Sequence, residues 1–336
     1  MRILIESKSY EYYLAKCHEA FRTGLRALFD VRCFGQGYPG YWPSKLFIKT
    51  YAQIVPQMFP DSPPDLLVAD SYYPHDVGGF KYAGLADLDI PKAIVLGDYW
   101  DMETNRGGFV EFVQRNGLDF ILSYFLQPLE IWAGTPIADR FIYLPPSFDP
   151  RIFNDWQMEK TYDVGFLANG TTEFSPFYPE RFNIHQKLLK RQGLHYLWAP
   201  HPGWKRHKMT SPLVGKNFSK AINSCRIFIT SGGIYRNAQP KIIEALASKT
   251  LLMSDEPVGA DRIGLQDELN YVRITEDDVL EKVEYYLEHP DLCAAIAENG
   301  YQLALHRHSC YTRAVEFYKQ VSGRLQAQLA KQASAL

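Results

Sequence analysis

The residues with the clearest capacity for binding chemistry lie between Arg226 and Ala247. An apolar run ends at Thr230, two glycines follow, and Pro240 can start a helix. Gly232 and Gly233 would let the backbone approach a ligand closely. This pattern predicts an anion site, because the amides and the positive dipole end at a helix N-terminus bind phosphate groups.

Polar side chains in the same stretch fit a nucleoside diphosphate. Arg236 and Lys241 would supply formal positive charge to the diphosphate, and Glu244, one turn inside the helix, could accept hydrogen bonds from ribose hydroxyls. Asn237 and Pro240 lie in the same turn and are included as candidate binding residues. The spacing alone fits equally well an ordinary strand-loop-helix corner with a surface glutamate.

Other polar clusters give no prediction of a metal ion or a cofactor. Asp87 and Asp89 have an Asp-x-Asp spacing, but they lie in a turn that leads into the next predicted strand. His201 and His207 lack the spacing of helical zinc ligands. No Ser-His-Asp order and no glycine-rich dinucleotide fingerprint is found.

Short apolar runs alternate with segments of helical period in both halves of the chain, which predicts an α/β fold with parallel sheets. A first helix, which Ser9 could cap, is predicted from apolar residues three and four apart between 14 and 28. The predicted strands of the N-terminal half are residues 3–6, 31–34, 66–69, 93–97, 120–123 and 141–144.

A proline-rich segment at residues 144–153 separates the two halves, because proline prevents both a helix and a central strand. A second doubly wound sheet is expected after it, and residues 275–278 form a capping box that opens a helix ending at Glu288. The predicted strands of this half are residues 163–167, 195–198, 226–230, 250–253 and 271–274.

The last segment predicts a long amphipathic helix. Its apolar stripe should pack on the body of the protein. A weak peripheral contact with a membrane is the disfavoured alternative, because the polar face is not especially basic. The stripe consists of Tyr311, Ala314, Tyr318, Val321, Leu325 and Leu329.

Length and composition narrow the class of protein. The 336 residues predict two domains, and the formal net charge of -2 does not favour nucleic acid or an anionic membrane as a partner. Five widely separated cysteines predict a reducing compartment. With a first strand near Arg2 and no apolar run of about 18 residues, we expect no signal peptide, no transmembrane segment and a cytoplasmic location.

From Gln239 to about Lys319 the sequence resembles the glycosyltransferase group 1 family, and it is similar in particular to the spore-maturation-protein-like branch. The linker at 144–153 also looks like the interdomain crossing of that family. The segments that carry the resemblance are residues 240–247, 251–255, 285–290, 297–300 and 308–313.

The resemblance implies an α/β protein with two doubly wound Rossmann-like domains facing a cleft, the GT-B fold. Residues 1–148 would form the acceptor-side domain and residues 149–310 the nucleotide-sugar-binding domain. Residues 311–336 would form an amphipathic helix that packs back across the domains. No obligatory metal is implied.

The resemblance also assigns roles to individual residues. Glu244 matches the second glutamate of the family's pair, the one expected at the ribose, while Arg236 replaces the first glutamate, which the family often directs toward the sugar. Asn169 and Gly170, after the first strand of the second domain, are the other place where such enzymes approach the donor.

A catalytic base, if one is needed, is expected at the end of a strand in the N-terminal half. Asp98 directly follows the strand predicted at 93–97, among aromatic residues that could stack on a sugar and raise the pKa of the carboxyl by desolvation. His75 is the alternative. Either residue could instead lie in a loop without a chemical role.

These features together predict a metal-independent glycosyltransferase, of retaining stereochemistry, that takes a sugar from a nucleotide diphosphate sugar. Its acceptor could be a glycan, a small molecule, a lipid-linked molecule or a protein. Two alternatives stay open: a catalytically silent GT-B protein that binds or scaffolds, and a nucleotide-sugar epimerase on the same fold.

Overall fold

The computed structural model describes residues 1–7, 9, 17–35, 37–39, 50–69, 83–97, 99, 106–168, 177–199 and 213–334. These residues divide into two compact units. The first unit falls within Met1–Ser9, Leu25–Pro145 and Ala314–Leu336, and the second within Tyr10–Gly24 and Pro146–Arg313. The predicted acceptor-side and donor-side roles of the two halves stay predictions.

The first unit contains a six-stranded sheet in the order β2-β1-β3-β4-β5-β6, with every neighbouring pair parallel. The residues of β3, β4 and β5 are all buried, as expected for parallel strands covered on both faces. The strands are β1 (Arg2–Glu6), β2 (Asp30–Phe34), β3 (Leu66–Ala69), β4 (Lys92–Leu96), β5 (Phe120–Ser123) and β6 (Phe141–Tyr143).

Short helices alternate with these strands. A 3₁₀ helix at Ala138–Arg140 leads directly into β6. The helices are α1 (Cys17–Leu28), α2 (Tyr51–Met58), α3 (Arg106–Arg115) and α4 (Gln127–Ile131).

The second unit contains a five-stranded sheet in the order β11-β10-β9-β7-β8, and all of its pairs are parallel. Read from the first strand of each unit, the two sheets share one order, 2-1-3-4-5, to which the first sheet adds a sixth strand. The strands are β7 (Tyr162–Leu167), β8 (Tyr196–Ala199), β9 (Cys225–Thr230), β10 (Leu251–Ser254) and β11 (Val272–Arg273).

The strand order creates a switch point between β7 and β9. Helices α5 and α8 lie on one face of the sheet, where both contribute to one apolar cluster with β9. Helix α7 packs against α6. In sheets of this order, ligands bind at the carboxyl ends of the strands beside the switch point. The helices of this unit are α5 (Pro179–Lys190), α6 (Lys216–Asn223), α7 (Pro240–Ala247), α8 (Val279–Glu288) and α9 (Pro290–Arg307). The last helix, α10 (Cys310–Ser334), belongs to the first unit from Ala314 onward.

The strand predictions are confirmed: each of the eleven strands is present, and no boundary differs by more than one residue. The capping-box bonds are also present, from the Thr275 amide to Asp278 Oδ1 (2.6 Å) and from the Asp278 amide to Thr275 Oγ1 (3.3 Å). Helix α8 nevertheless begins only at Val279, because residues 276–278 form a turn. The proposed Ser9 cap concerns residues that lie partly outside the described ranges.

The long C-terminal helix is present as α10, but its buried stripe differs from the predicted one. Ala314, Phe317 and Val321 are fully buried, whereas Tyr311 and Tyr318 are more than a third exposed. The predicted stripe was therefore wrong at the two tyrosines, whose rings each present a polar hydroxyl that favours contact with water. None of the helices in the described ranges has both the length and the apolar content that a membrane crossing needs.

Candidate functional site

The corner between β9 and α7 has the strand-turn-helix form predicted from the sequence. Strand β9 ends at Thr230, Gln239 is the extended N-cap residue of α7, and Pro240 occupies the first helical position. The Ile242 amide bonds the Gln239 carbonyl at 3.0 Å, which closes the first turn. The early amides of a helix have no intrahelical acceptor, so this end of α7 can receive an anion.

Gly232 and Gly233 are required by the path of the chain itself. A Cβ at Gly232 would lie 2.6 Å from the Arg236 carbonyl carbon and the Asn237 nitrogen. Gly233 has a φ of +73°, and a Cβ there would lie 2.3 Å from the Phe177 carbonyl oxygen. The glycines therefore allow one part of the protein backbone to approach another, an explanation different from the close ligand approach expected from the sequence.

Arg236 lies in the turn with a left-handed backbone (φ 48°), and its side chain is turned onto Glu256. Its Nε donates to the Glu256 carbonyl oxygen at 2.8 Å, and its Nη2 lies 3.7 Å from Glu256 Oε2. Arg273 Nη1 contacts the same carboxylate oxygen at 3.4 Å. The Arg236 side chain is about half exposed, so the exposed part of its guanidinium can still contact an anion.

Asn237 is fully buried in this turn, where its carbonyl accepts the Gln239 amide at 2.8 Å. The Val258 amide donates to the Arg236 carbonyl at 2.8 Å, which joins the turn to the segment after β10. Asn237 and Pro240 thus fix the entry into α7.

Lys241 and Glu244 lie one turn apart at the start of α7, and both side chains are partly buried. Burial lowers the pKa of Lys241 to about 7, and the nearby Arg181 guanidinium acts in the same direction. Burial raises the pKa of Glu244 to about 7, opposed by the Lys241 ammonium. An incoming anion would favour the protonated form of Lys241, so this end of the helix can respond to a diphosphate.

Two buried charged residues from other elements also meet this corner, and the sequence had not assigned them a role. Arg181, in the first turn of α5, donates from Nε to the Ser231 carbonyl oxygen at 3.1 Å and also from Nη2 to the same oxygen. Asp255, directly after β10, accepts the Gly232 amide at 2.8 Å on Oδ1. A charged residue directly after a buried parallel strand, as in Ser254-Asp255, was the available signal.

Glu180 lies beside Arg181, and burial together with the Asp255 charge raises its pKa to about 7. Burial also raises the pKa of Asp255. Two carboxyl groups of raised pKa, those of Glu180 and Asp255, therefore lie at the corner together with the cationic side chains of Arg181 and Arg236. Such a combination often marks a functional site.

Several polar side-chain atoms at the ends of β9 and β10 and at the N-cap of α7 are buried without a hydrogen-bond partner within the described part of the chain. Buried polar atoms normally have partners, so this group indicates a place where a further polar contact is made. The atoms are Thr230 Oγ1, Ser231 Oγ, Gln239 Nε2 and Asp255 Oδ2.

Four predicted site residues lie outside the described residues: Asp98, His75, Asn169 and Gly170. Strands β3 and β4, after which His75 and Asp98 follow in sequence, are neighbours in the first sheet. Across the ranges that are described, no three His, Cys, Asp or Glu side chains are grouped so that they could hold a metal ion.

Solved structures show the same architecture as this chain. HepE of Anabaena, in complex with UDP-glucose, matches over 96% of this chain and 100% of that chain, with a TM-score of 0.64 and 14% identity. Sucrose-phosphate synthase from Thermosynechococcus elongatus matches over 98% and 100%, with a TM-score of 0.63 and 10% identity. The chain has the GT-B fold.

A further GT-B match is a glycosyltransferase from Rickettsia africae, over 95% of this chain and 98% of that chain, with a TM-score of 0.59 and 11% identity. Residues 180–319 match the model of a family described as glycosyl transferase-like. The matched segment lies mainly in the second GT-B unit and includes α5, the β9–α7 corner and Asp255. A comparison with curated proteins gave no match.

Proposed function

We propose that this protein transfers a glycosyl group from a nucleotide diphosphate sugar to an acceptor. The observation that carries the proposal is the β9–α7 corner, where a helix N-terminus, Lys241 and Glu244 meet beside buried polar atoms without partners. The GT-B fold and the match of residues 180–319 to the glycosyl transferase-like model support it.

The donor would be held mainly by the second unit. Gly232, Gly233, Arg236 and Lys241 would surround the diphosphate, and Glu244 would accept hydrogen bonds from the ribose. HepE is similar in fold and was solved with UDP-glucose, so a UDP sugar is the first donor to test. Asn169 and Gly170 stay proposed as the other place where the protein approaches the donor.

The chemistry proposed for the corner is stabilisation of the leaving diphosphate as its bond to the anomeric carbon breaks. The helix end and the cationic side chains would meet the growing charge without an obligatory metal, and the stereochemistry would be retaining. Asp98, or His75 as the alternative, would act as a base or would orient the acceptor.

The finer assignments made from the sequence remain part of this proposal. They are the spore-maturation-protein-like branch, a cytoplasmic location, and an acceptor that could be a glycan, a small molecule, a lipid-linked molecule or a protein.

A second candidate is a GT-B protein that binds a nucleotide without turnover. The contact of Arg236 with Glu256 favours it, because the residue expected to reach the sugar is an arginine held by a neighbouring acid. An epimerase on the same fold is a further alternative, and it would consume a nucleotide sugar without any acceptor.

The deciding experiment is isothermal titration calorimetry of the purified protein with UDP, GDP, ADP and TDP, followed by assays of nucleoside diphosphate release from the matching nucleotide sugars. We expect one nucleoside diphosphate to bind and its sugar to be consumed when acceptor extracts are added. Binding without any change in the nucleotide sugar would support the silent protein, and conversion of the nucleotide sugar into an isomer, without acceptor and without net release of nucleoside diphosphate, would support the epimerase. Absence of binding to all four would contradict the proposed function.

A further inference from the structure

A single peptide unit at the end of β9 is held on both of its polar sides. The Ser231 carbonyl oxygen accepts hydrogen bonds from Arg181 Nε (3.1 Å) and Nη2, and the Gly232 amide donates to Asp255 Oδ1 (2.8 Å). These two groups belong to one peptide bond, the Ser231–Gly232 peptide. Its orientation is therefore fixed by two side chains from different elements, α5 and the segment after β10.

Both side chains are charged and buried, with 4% of Arg181 and 8% of Asp255 exposed. The Arg181 guanidinium lies 3.8 Å from the centre of the Tyr178 ring, and Asp255 Oδ1 also accepts the Ser254 hydroxyl at 3.0 Å. The two opposite charges favour each other's ionised form, against the effect of burial. Because burying a charge is costly, such a pair at one backbone position suggests a need for accurate orientation there.

The Ser231–Gly232 peptide also lies where the sequence itself restricts the backbone little. Gly232 and Gly233 follow each other, and glycine has no side chain that restricts its backbone. The orientation of this peptide passes into the turn, since the Gly232 carbonyl accepts the Asn237 amide (3.3 Å) and the Gly233 carbonyl accepts the Arg236 amide (2.9 Å). The position of this turn then determines where the first amides of α7 lie.

We propose that Arg181 and Asp255 are positioning residues, which hold the Ser231–Gly232 peptide so that the amides of the β9–α7 corner are aimed at the diphosphate. The proposal rests on the proposed function. It assigns to both residues a role through the backbone and no contact with the ligand.

A positioning role and a purely structural role predict different ligand effects. If the two residues orient the phosphate-binding amides, their loss should lower the affinity for ligands that carry phosphates and leave the affinity for the nucleoside unchanged. If they only stabilise the unit, the affinities for both ligands should change together or not at all.

The test uses the charge-conserving variants R181K and D255E in the full chain. The R181K substitution would replace the two-nitrogen contact by a single ammonium nitrogen, and D255E would displace the carboxylate by a methylene, so neither variant changes the net charge that attracts an anion. R313K is the matched control, because Arg313 is also buried (3% exposed) in the second unit but contacts His308 Nδ1 at 2.9 Å.

Dissociation constants for UDP and uridine are measured by calorimetry and NMR titration, and melting temperatures are recorded alongside. We expect R181K and D255E each to raise the dissociation constant for UDP about tenfold, which corresponds to the loss of one charge-assisted hydrogen bond. The dissociation constant for uridine should change by less than about twofold. R313K should lower the melting temperature and leave the ratio of the two affinities unchanged.

Equal losses for UDP and uridine, or unchanged UDP affinity in folded variants, would overturn the positioning role while the proposed function stands. If R181K does not fold, D255E alone decides between these outcomes. Wild-type protein that binds no nucleoside diphosphate would instead refute the proposed function itself.

Discussion

At the scale of single residues, Lys241 and Glu244 are the informative pair. Burial moves the pKa of the lysine down and that of the glutamate up, and both arrive at about 7. Burial therefore disfavours the charged form of both side chains. Because burial opposes the charged form of each side chain, this arrangement carries a cost in stability, which the proposed nucleotide would offset by supplying charge and hydrogen bonds.

We expect E244Q to be more stable than the wild type at pH 7.5, by about 2–4 °C in melting temperature. The folded pKa of Glu244 is raised, so the native state binds more protons than the unfolded state between about pH 4.5 and 7. The stability contributed by this group falls as pH rises through that window, and a neutral glutamine avoids the loss. The advantage of the variant should shrink as pH falls toward 4.5.

Thermal melts from pH 4.5 to 8 test this prediction. E281Q, at an exposed position of α8, is the matched control and should melt like the wild type throughout. If Glu244 also binds the ribose, the stabilised E244Q protein should bind UDP more weakly. A variant less stable than the wild type at pH 7.5 would contradict the assigned pKa shift.

At the scale of secondary-structure elements, the corner depends on a glycine that no other residue can replace without movement. A Cβ at Gly232 would meet the backbone of Arg236 and Asn237, whereas a Cβ at Gly323, on the exposed side of α10, would meet nothing within 4 Å. The two positions therefore form a pair for the same substitution.

We expect G232A to lower the free energy of unfolding by about 1–3 kcal/mol, the usual cost of overpacking, and to weaken UDP. G323A should raise it by about 0.5–1 kcal/mol, because alanine favours a helix. Urea denaturation monitored by circular dichroism measures both changes. Equal stability of G232A and the wild type would show that the turn can adapt.

The elements could be predicted from the sequence more completely than the site. The central strands β3, β4, β5 and β10 are short apolar runs buried on both faces, so the pattern alone located them, and Pro240 and the glycines located the corner. Arg181 was not found because its partner, Ser231, lies 50 residues away, and the Gly232–Asp255 bond spans 23 residues. Such pairs arise only from the strand order, which brings α5 and the end of β10 to β9.

At the scale of the whole molecule, the two units contain sheets of the same strand order, and the corner proposed to bind the donor lies in the second unit. Ligand binding should therefore slow amide hydrogen exchange more in the second unit than in the first. We expect saturating UDP to slow amide hydrogen exchange in residues 179–182 and 231–244, while β3 and β5 of the first unit keep their rates.

Hydrogen exchange with mass spectrometry makes this measurement. At about 100 times the dissociation constant, binding should add about 2.7 kcal/mol to the stability of the unit that holds the ligand. Uridine at equal saturation is the control, and it should protect residues 231–240 less because it has no phosphates. Protection confined to the first unit would place the nucleotide elsewhere.

Helix α10 has a consequence for biosynthesis. Its Ala314, Phe317 and Val321 are fully buried, and Arg324 bonds the carbonyl oxygens of Asp139 (2.5 Å) and Phe141 (2.8 Å) in the first unit. The ribosome must therefore translate residues 146–313 before this helix emerges, a delay on the order of ten seconds at about 5–20 residues per second. During that interval the nascent first unit would expose the apolar surface that α10 later covers, and we expect such exposed surface to favour aggregation until the helix docks.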